Sequence, residues 1–264
     1  MTTATAIYIP HGGGPLPLMN LPGYSEMNDF LSQLPDSIDR PDAIIIISAH
    51  WEESEIAITA SSAPHLLFDY YGFPAETYDY QYPAPGDPGL AEQVQILLQQ
   101  AGIACRLDFD RDFDHGMFVP LLIMYPQADI PCIQVSLSNS MDAGFHIELG
   151  RALSGLRAQN LLILGSGNSF HNMEVFMGAR DGNERPRNVA FEDWLVQTCS
   201  DTLLSEAERE ARLIEWEQAP HARYCHPREE HLLPLHVCYG FGQTAATTVF
   251  QGSVDGFIAS AYRW

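Results

Sequence analysis

The apolar stretch AIIIIS at residues 43–48 and the similar stretch LLILG at residues 161–165 decide the fold class. Both are continuous rather than alternating, which is typical of strands that are covered on both faces. Shorter runs predict further strands at residues 4–9, 55–59 and 131–136, and the tail from 245 to 264 predicts two final strands around a turn at 252–256. The sequence therefore predicts a sheet with a buried centre.

Helical segments separate these strands. They are predicted at residues 88–100, 119–125, 145–157 and 231–239, with a longer polar helical stretch at residues 192–217. The alternation of strands and helices indicates an α/β fold, with a central mostly parallel or mixed sheet covered by helices on both faces. For a chain of 264 residues we expect a single domain over residues 1–264.

Composition argues against several classes of function. The 13 basic and 34 acidic side chains give a formal charge of -21, which disfavours nucleic acid and anionic membranes as partners. No apolar run reaches the length of about 18 residues that spans a bilayer. The start MTTATAIYIPHGGGP lacks a secretory signal pattern, so we expect a cytoplasmic protein. The five cysteines are scattered and never spaced as CxxC, which argues against disulfides and a cysteine zinc site.

A small anionic substrate would need local positive charge in this acidic chain, and a divalent cation can supply it. The ten histidines are the candidate ligands. His11 directly follows the first predicted strand and precedes three glycines, His50 follows the AIIIIS run, and His171 follows LLILG through a GSGNS turn. Because open α/β sheets bind ligands at strand ends, these three side chains can converge.

Each of these histidines also has another interpretation. His11 with its glycines can be a capped turn or part of a phosphate-binding loop, and His171 can be a surface residue. Trp51, Glu52 and Glu53 either orient His50 from behind or form a solvated acidic pair. Asn172 is a candidate to orient His171.

Two further histidine clusters follow. His115 lies in DHG, just before an apolar helix, where it lines a pocket or sits on the surface beside an Asp114 N-cap. His226, His231 and His236 lie in CHPREEHLLPLH, each five residues apart, which is not a helical ligand spacing. Residues 68–88 are rich in aromatic residues and proline, and they predict either a loop packed by its own rings or the wall of a substrate pocket.

Six blocks of the sequence, taken in order, resemble a known family. IPHGGGP, IIIISAHWE, DYYGFPAETYDYQYPAPGDPGLAEQV, DHGMFVPLLIMYP, LLILGSGNSFHNM and HPREEHLLPL resemble the 4,5-DOPA extradiol dioxygenase-like branch of the class III (LigB-type) ring-cleaving dioxygenases. The resemblance covers nearly the whole chain, from His11 to the final YRW. One departure is the GGGP stretch, since typical members show a serine soon after the first HG, and this affects the pocket near His11.

The resemblance implies a non-haem Fe(II) enzyme that opens the ring of a small catechol (DOPA-, caffeate- or protocatechuate-like) with O2. His11 and His50 are implied metal ligands, with a third from the HPREEH block, where His226 is the first choice and His231 the second. His171 corresponds to the acid/base histidine and is implied to lie close to the ion.

His115 corresponds to the histidine that contacts substrate and oxygen species. Tyr70, Tyr71, Phe73 and Tyr78 of the aromatic segment are expected to form a wall against the substrate ring. An all-histidine ligand set also suits Zn(II), so purified protein can carry zinc. A zinc-dependent hydrolase and a non-catalytic metal-binding protein of the same fold are the alternatives. The expected partners are a catecholic substrate and O2, and the oligomeric state stays open.

Overall fold

The computed structural model of the chain describes residues 3–178 and 181–264. The strands of this part of the chain are β1 (Thr5–Pro10), β2 (Ala43–Glu53), β3 (Ile56–Thr59), β4 (Cys105–Asp108), β5 (Cys132–Ser138), β6 (Leu161–Gly167), β7 (Thr247–Val254) and β8 (Phe257–Arg263). The helices are α1 (Ser25–Gln33), α2 (Pro88–Gln100), α3 (His115–Met124), α4 (Ala143–Leu153), α5 (Met173–Phe176), α6 (Glu184–Ser200), α7 (Glu206–Ile214), α8 (Ala222–Cys225) and α9 (Leu233–Gly242).

The strands form one mixed sheet in the order β4-β3-β5-β2-β6-β1-β8-β7. The four central strands β5, β2, β6 and β1 are parallel. β3 pairs antiparallel with β5, and β8 pairs antiparallel with both β1 and β7. The carboxyl ends of the parallel strands therefore meet at one edge.

The sheet separates two hydrophobic cores, which explains why its central strands are apolar throughout. In β2, Ile45 and Ile47 enter the core beneath α2, α4 and α9, whereas Ile44 and Ile46 enter the core beneath α1 and α3. Successive side chains of a strand point to opposite faces, so a strand between two layers of helices needs apolar residues at every position. The predicted α/β fold with helices on both faces is confirmed.

The differences from the sequence prediction lie mainly at element boundaries. The apolar helix predicted from residue 119 begins at His115, and the polar stretch is two helices, α6 and α7, which are separated by residues 201–205. Ser205 explains the second start, because its hydroxyl and Glu208 form a capping box. The short edge strand β4 was not predicted. Its side chains are only partly buried beyond Cys105, so it lacks the apolar pattern of a core strand.

The five cysteines are free thiols, and all of them are buried. Within residues 3–178 and 181–264, no helix has both the length and the apolarity needed to cross a membrane.

Candidate active site

Five histidines from five segments meet at the carboxyl edge of the parallel strands. His11 directly follows β1, His50 lies near the end of β2, and His171 follows β6. His115 is the first residue of α3, and His231 lies between α8 and α9. The rings of His50, His115 and His231 each stand within 5.5 Å of the ring of His11, centroid to centroid.

Hydrogen bonds determine the tautomer of the His11 ring. The Ser166 hydroxyl donates to the carbonyl oxygen of Gly116, so its oxygen is left to accept the hydrogen bond from His11 Nδ1 at 2.9 Å. The proton of the neutral ring therefore sits on Nδ1, and Nε2 carries a lone pair. That nitrogen lies 3.1 Å from His50 Nε2.

His11, His50 and His231 can hold a metal ion. Their nearest ring nitrogens all lie within 4.8 Å of one another. Two nitrogens on adjacent positions of one ion, each at about 2.1 Å, stand about 3 Å apart, which matches the separation of the His11 and His50 Nε2 atoms. A cation could accept lone pairs from both nitrogens in place of the contact between them, so the donor set fits a divalent metal.

Burial keeps these three rings neutral. It lowers the pKa of His11, His50 and His231 well below the ordinary value, and neighbouring histidines lower each of the three further. Only a neutral imidazole offers a lone pair to a metal, so the environment favours the ligating form.

Two carboxylates each serve a pair of site histidines. Asp69 Oδ1 accepts hydrogen bonds from the ring Nδ1 of His115 at 2.8 Å and from its backbone N–H at 3.0 Å, and Oδ2 lies 3.7 Å from His50 Nδ1. Glu230 Oε1 lies 2.9 Å from the Nδ1 of His231 and 3.2 Å from that of His171. Carboxylates in this position orient imidazole ligands and set their tautomer.

Burial alone would raise the pKa of both carboxyl groups, but their histidine partners outweigh it. Asp69 has its pKa lowered by the hydrogen bond from His115, and Glu230 by that from His171. Both carboxylates are therefore charged near neutral pH. Each sits behind its histidines, which leaves the Nε2 side of those rings for the centre of the site.

The site opens into a cavity of about 390 Å³. His171 lines this cavity and is stacked on His231, with ring centroids 3.4 Å apart and planes 16° apart. The other walls come from the glycines after β1, the aromatic segment, the turn into α5 and the β7–β8 hairpin. These walls are lined by Gly12, Gly13, Gly14, Leu16, Tyr24, Tyr70, Tyr71, Phe73, Asn168, Phe170, Met173, Phe176, Val254, Asp255, Phe257 and Ala259.

Glycines let the segments approach this closely. A Cβ on Gly116 would lie 2.4 Å from the Ser48 hydroxyl and 3.2 Å from the His50 ring. Gly14 has φ of +53°, and a Cβ there would lie 3.3 Å from the Phe73 ring. Gly14 of the GGGP stretch therefore lets the aromatic segment pack against the loop after His11.

The structure brings together all the predicted site residues except His226. The Nε2 of His226 hydrogen-bonds the Ser169 carbonyl oxygen at 2.7 Å, and its buried ring packs near Phe191 and Trp216. His231 instead joins His11 and His50, so the geometry favours the second choice for the third ligand. The reason is that the chain between α8 and α9 turns after His226 and carries residue 231 back to the sheet edge.

Several neighbouring residues have other roles than those expected. Glu52 pairs with Arg228, and Glu53 accepts a hydrogen bond from Trp51 Nε1, so neither orients His50. Asn172 caps α5 rather than holding His171.

The structure also tests the alternative interpretations of the DHG segment and of the aromatic segment. Asp114 occupies the N-cap position of α3 as predicted, but its side chain makes no capping hydrogen bond. His115 is buried, so its interpretation as a surface residue is wrong. In the aromatic segment both interpretations hold, because its rings pack on one another while Tyr70, Tyr71 and Phe73 line the cavity. Tyr78 packs on Tyr70 and is absent from the cavity lining.

Asp69 and Glu230 are the site residues that sequence reasoning missed. Glu230 directly precedes His231, and Asp69 opens the quoted block DYYGFP, but 34 acidic residues compete for such a role. Only the fold shows which carboxylates face histidines.

Comparison with known proteins identifies the family. The family of the catalytic LigB subunit of aromatic ring-opening dioxygenase matches residues 6–255. Dioxygenase tasH of Hapsidospora irregularis is 38% identical over 91% of this chain and 78% of its own length. The 4,5-DOPA dioxygenase extradiol of Beta vulgaris is 35% identical over 96% of this chain and 92% of its own.

A solved structure has the same fold. The crystal structure of uncharacterized protein JW3007 from Escherichia coli K12 superposes with a TM-score of 0.78, at 30% identity and over 98% of both chains. LigB-type dioxygenases are metal-dependent, and the histidine cluster supplies a place for the ion. The chain belongs to the LigB family of aromatic ring-opening dioxygenases, and its enzyme class is that of the extradiol dioxygenases.

Proposed function

We propose that this enzyme uses Fe(II), bound by His11, His50 and His231, to open the ring of a small catechol with O2. The observation that carries the proposal is the convergence of these three imidazoles at the end of a cavity that His115 and His171 also line. The family supports dioxygenase chemistry over the zinc hydrolase and the non-catalytic alternatives.

Iron, when bound, would supply adjacent positions for both catechol oxygens and for O2. Three neutral histidines add no charge to the ion, so a catechol that has lost both hydroxyl protons balances its charge. The protein must therefore provide a base for one of these protons, and the other is released to solvent.

His171 is suited to be that base. Its Nδ1 faces the Glu230 carboxylate at 3.2 Å, so the neutral ring keeps its proton there and has a free lone pair on Nε2. A catechol hydroxyl in the cavity can transfer its proton to this atom, and Glu230 stabilises the imidazolium that forms. The same proton is then available to return to an oxygen of the ring-opened product.

His115 is suited to donate a hydrogen bond to the substrate, whereas His171 accepts a proton from it. The Asp69 carboxylate accepts a hydrogen bond from its Nδ1 and stabilises the ring when Nε2 also carries a proton. In that form Nε2–H donates a hydrogen bond to a substrate oxygen. Tyr70 and Phe73 lie beyond it and offer ring faces and edges against which an aromatic substrate packs.

The proposal is tested by reconstituting the metal-free protein with Fe(II) under anaerobic conditions, mixing it with a panel of catechols, and admitting air. We expect the yellow colour of ring-opened product with at least one catechol. Zinc-loaded protein is the matched control and should give none, because Zn(II) does not cycle electrons. The H171A variant should bind iron and lose turnover, whereas unchanged ring opening in H171A would remove His171 from the mechanism.

A further inference from the structure

The GSGNS turn at residues 165–169 contains an asparagine whose side chain pairs with the backbone beside a metal ligand. Asn168 directly follows β6, is 7% exposed and lines the cavity. Its Oδ1 accepts a hydrogen bond from the backbone N–H of Gly12 at 3.3 Å, and its Nδ2 donates one to the carbonyl oxygen of Gly12 at 3.3 Å. The carboxamide of Asn168 therefore binds both backbone groups of the residue that follows His11.

This pairing occurs where the backbone has the most conformational freedom. His11 is still attached to the sheet, since its N–H donates to the Gly167 carbonyl oxygen at 3.0 Å. Gly12 has φ of +79° and begins a run of three glycines, and glycine adopts many backbone conformations at little cost. The two hydrogen bonds from Asn168 hold the peptide groups on both sides of Gly12, so they limit how far the His11 backbone and its imidazole can shift.

The backbone of Asn168 contacts a second metal ligand. Its N–H donates to the carbonyl oxygen of His231 at 3.1 Å, and the Tyr8 hydroxyl donates to the same oxygen at 2.8 Å. The segments are packed so closely here that a Cβ on Gly167 would lie 2.1 Å from this oxygen. His231 lies between α8 and α9, outside any helix or strand, so these contacts with β1 and the end of β6 hold its backbone in place.

The separation of these two backbones matters for a metal ion. His11 and His231 come from opposite ends of the chain, yet both must direct a ring nitrogen to one point. Metal–ligand distances are expected to stay within about 0.2 Å of their preferred values. A residue that binds both segments therefore reduces the freedom that an ion would otherwise have to remove when it binds.

We propose that Asn168 is a positioning residue for the metal site, which holds the backbones of His11 and His231 at a defined separation through its side chain and its own N–H. The proposal rests on the three-histidine metal site of the function proposed above. It adds a residue outside the ligand set on which the affinity and the geometry of that site depend.

The N168A variant removes the side-chain part of this link, and the chain offers a matched control. Asn188 of α6 is buried and makes the same pair of hydrogen bonds with one residue of β8. Its Nδ2 donates to the Ile258 carbonyl oxygen at 2.9 Å, and its Oδ1 accepts from the Ile258 N–H at 2.7 Å. N188A therefore removes an equivalent pair of hydrogen bonds from a contact between a helix and a strand.

We expect both variants to unfold at a lower denaturant concentration than the wild type, because each leaves buried backbone groups without partners. N168A should in addition bind metal more weakly, by about tenfold or more, whereas N188A should keep the wild-type affinity. Titration of the metal-free proteins with Zn(II) against a chelator measures this difference. The visible absorption bands of the Co(II)-loaded proteins, which report ligand geometry, should change in N168A and match the wild type in N188A.

Equal Zn(II) affinities in N168A and N188A, with unchanged Co(II) spectra, would overturn the proposal. A loss in N168A that is confined to KM for a catechol would also overturn it, because Asn168 would then act on the substrate. Hydrogen exchange of the wild type decides the matter if N168A does not fold. Zn(II) should slow exchange at the backbone N–H groups of Gly12 and Asn168 more than at that of Ile258, and equal effects at all three would contradict the proposal.

Metal binding separates this proposal from the catalytic one, because the Zn(II) and Co(II) measurements use no catechol. If the iron-loaded wild type opens no catechol but N168A binds Zn(II) weakly, the catalytic proposal fails and the role of Asn168 stands. If the wild type opens a catechol and N168A binds Zn(II) as tightly as the wild type, the catalytic proposal stands and the role of Asn168 fails.

Discussion

His231 is the residue whose role the structure changes most. It stands with His11 and His50 around one point, while His226 is hydrogen-bonded to a backbone carbonyl among aromatic rings. Both are buried histidines from one short block, so their spacing along the chain gives no basis for choosing between them.

Matched glutamine variants separate the two. H231Q should lose most of its bound iron or zinc, because it removes one of three donors. H226Q should lower stability, because it disturbs a buried hydrogen bond, but should keep stoichiometric metal. Metal content of the purified and reloaded variants, measured by atomic emission, checks this. Full metal occupancy in H231Q, with loss in H226Q, would reverse the assignment.

A second prediction about single residues concerns Glu230. E230Q removes the charge that His171 and His231 share, so we expect metal affinity to fall by about tenfold to a hundredfold. The matched control is E229Q, since the neighbouring Glu229 pairs with Arg223 and does not touch the site. Titration of both variants with metal against a chelator measures the effect. Equal affinities in the two variants would show that Glu230 does not orient the ligands.

At the scale of elements, the site depends on how closely α3 approaches β2. Gly116 in the first turn of α3 lies where any Cβ would collide with Ser48 and touch His50. Its carbonyl oxygen also accepts the Ser166 hydrogen bond that fixes the form of His11. Gly116 therefore helps to position α3, the end of β2 and Ser166 of β6 relative to one another.

We expect G116A to displace α3 from β2, to destabilise the protein by about 1–3 kcal/mol and to impair ring opening. G89A is the matched control, because a Cβ at this position of α2 meets only the Asp87 carboxylate, at 3.5 Å. Replacing a helical glycine with alanine there should stabilise by about 0.5–1 kcal/mol. Denaturant unfolding and turnover of both variants test the contrast, and wild-type stability and turnover in G116A would contradict it.

The elements were largely predictable because their signals are local. The runs at 43–48 and 161–165 lie in central strands as predicted, and Pro88 opens α2 behind an Asp87 cap. His11, His50 and His171 could be placed near one another because each lies at or just beyond the end of a predicted strand. The partners Asp69 and Glu230 were not predictable, since a carboxylate finds its histidine through the fold and not through sequence spacing.

At the scale of the whole molecule, buried neutral histidines make stability depend on pH. His146 is an example outside the site. Its Nε2 accepts the Ser138 N–H, its Nδ1 lies 2.7 Å from the Asp142 carbonyl oxygen, and burial lowers its pKa to about 4. In the unfolded chain the same ring takes up a proton below about pH 6.5.

Because the unfolded state binds the extra proton, the contribution of His146 is fully present above pH 6.5 and is lost as the pH falls towards 4. The loss is about 1.4 kcal/mol per pH unit in that window. H146Q should therefore show a shallower decline of the unfolding free energy between pH 6.5 and 5 than the wild type. H65Q, which replaces an exposed histidine, is the control. If the unfolding free energy of H146Q declined as steeply as that of the wild type, His146 would not be a source of the pH dependence.

The central claim is that the three-histidine site performs extradiol ring opening, and the stoichiometry of oxygen uptake tests it most directly. In an oxygen electrode, iron-loaded protein should consume one O2 per catechol opened, and catalase should return none, because both oxygen atoms enter the product. Under the same conditions, the H231Q variant should consume oxygen no faster than Fe(II) does without the protein. Uptake that releases hydrogen peroxide, or equal rates with H231Q and wild type, would contradict the account.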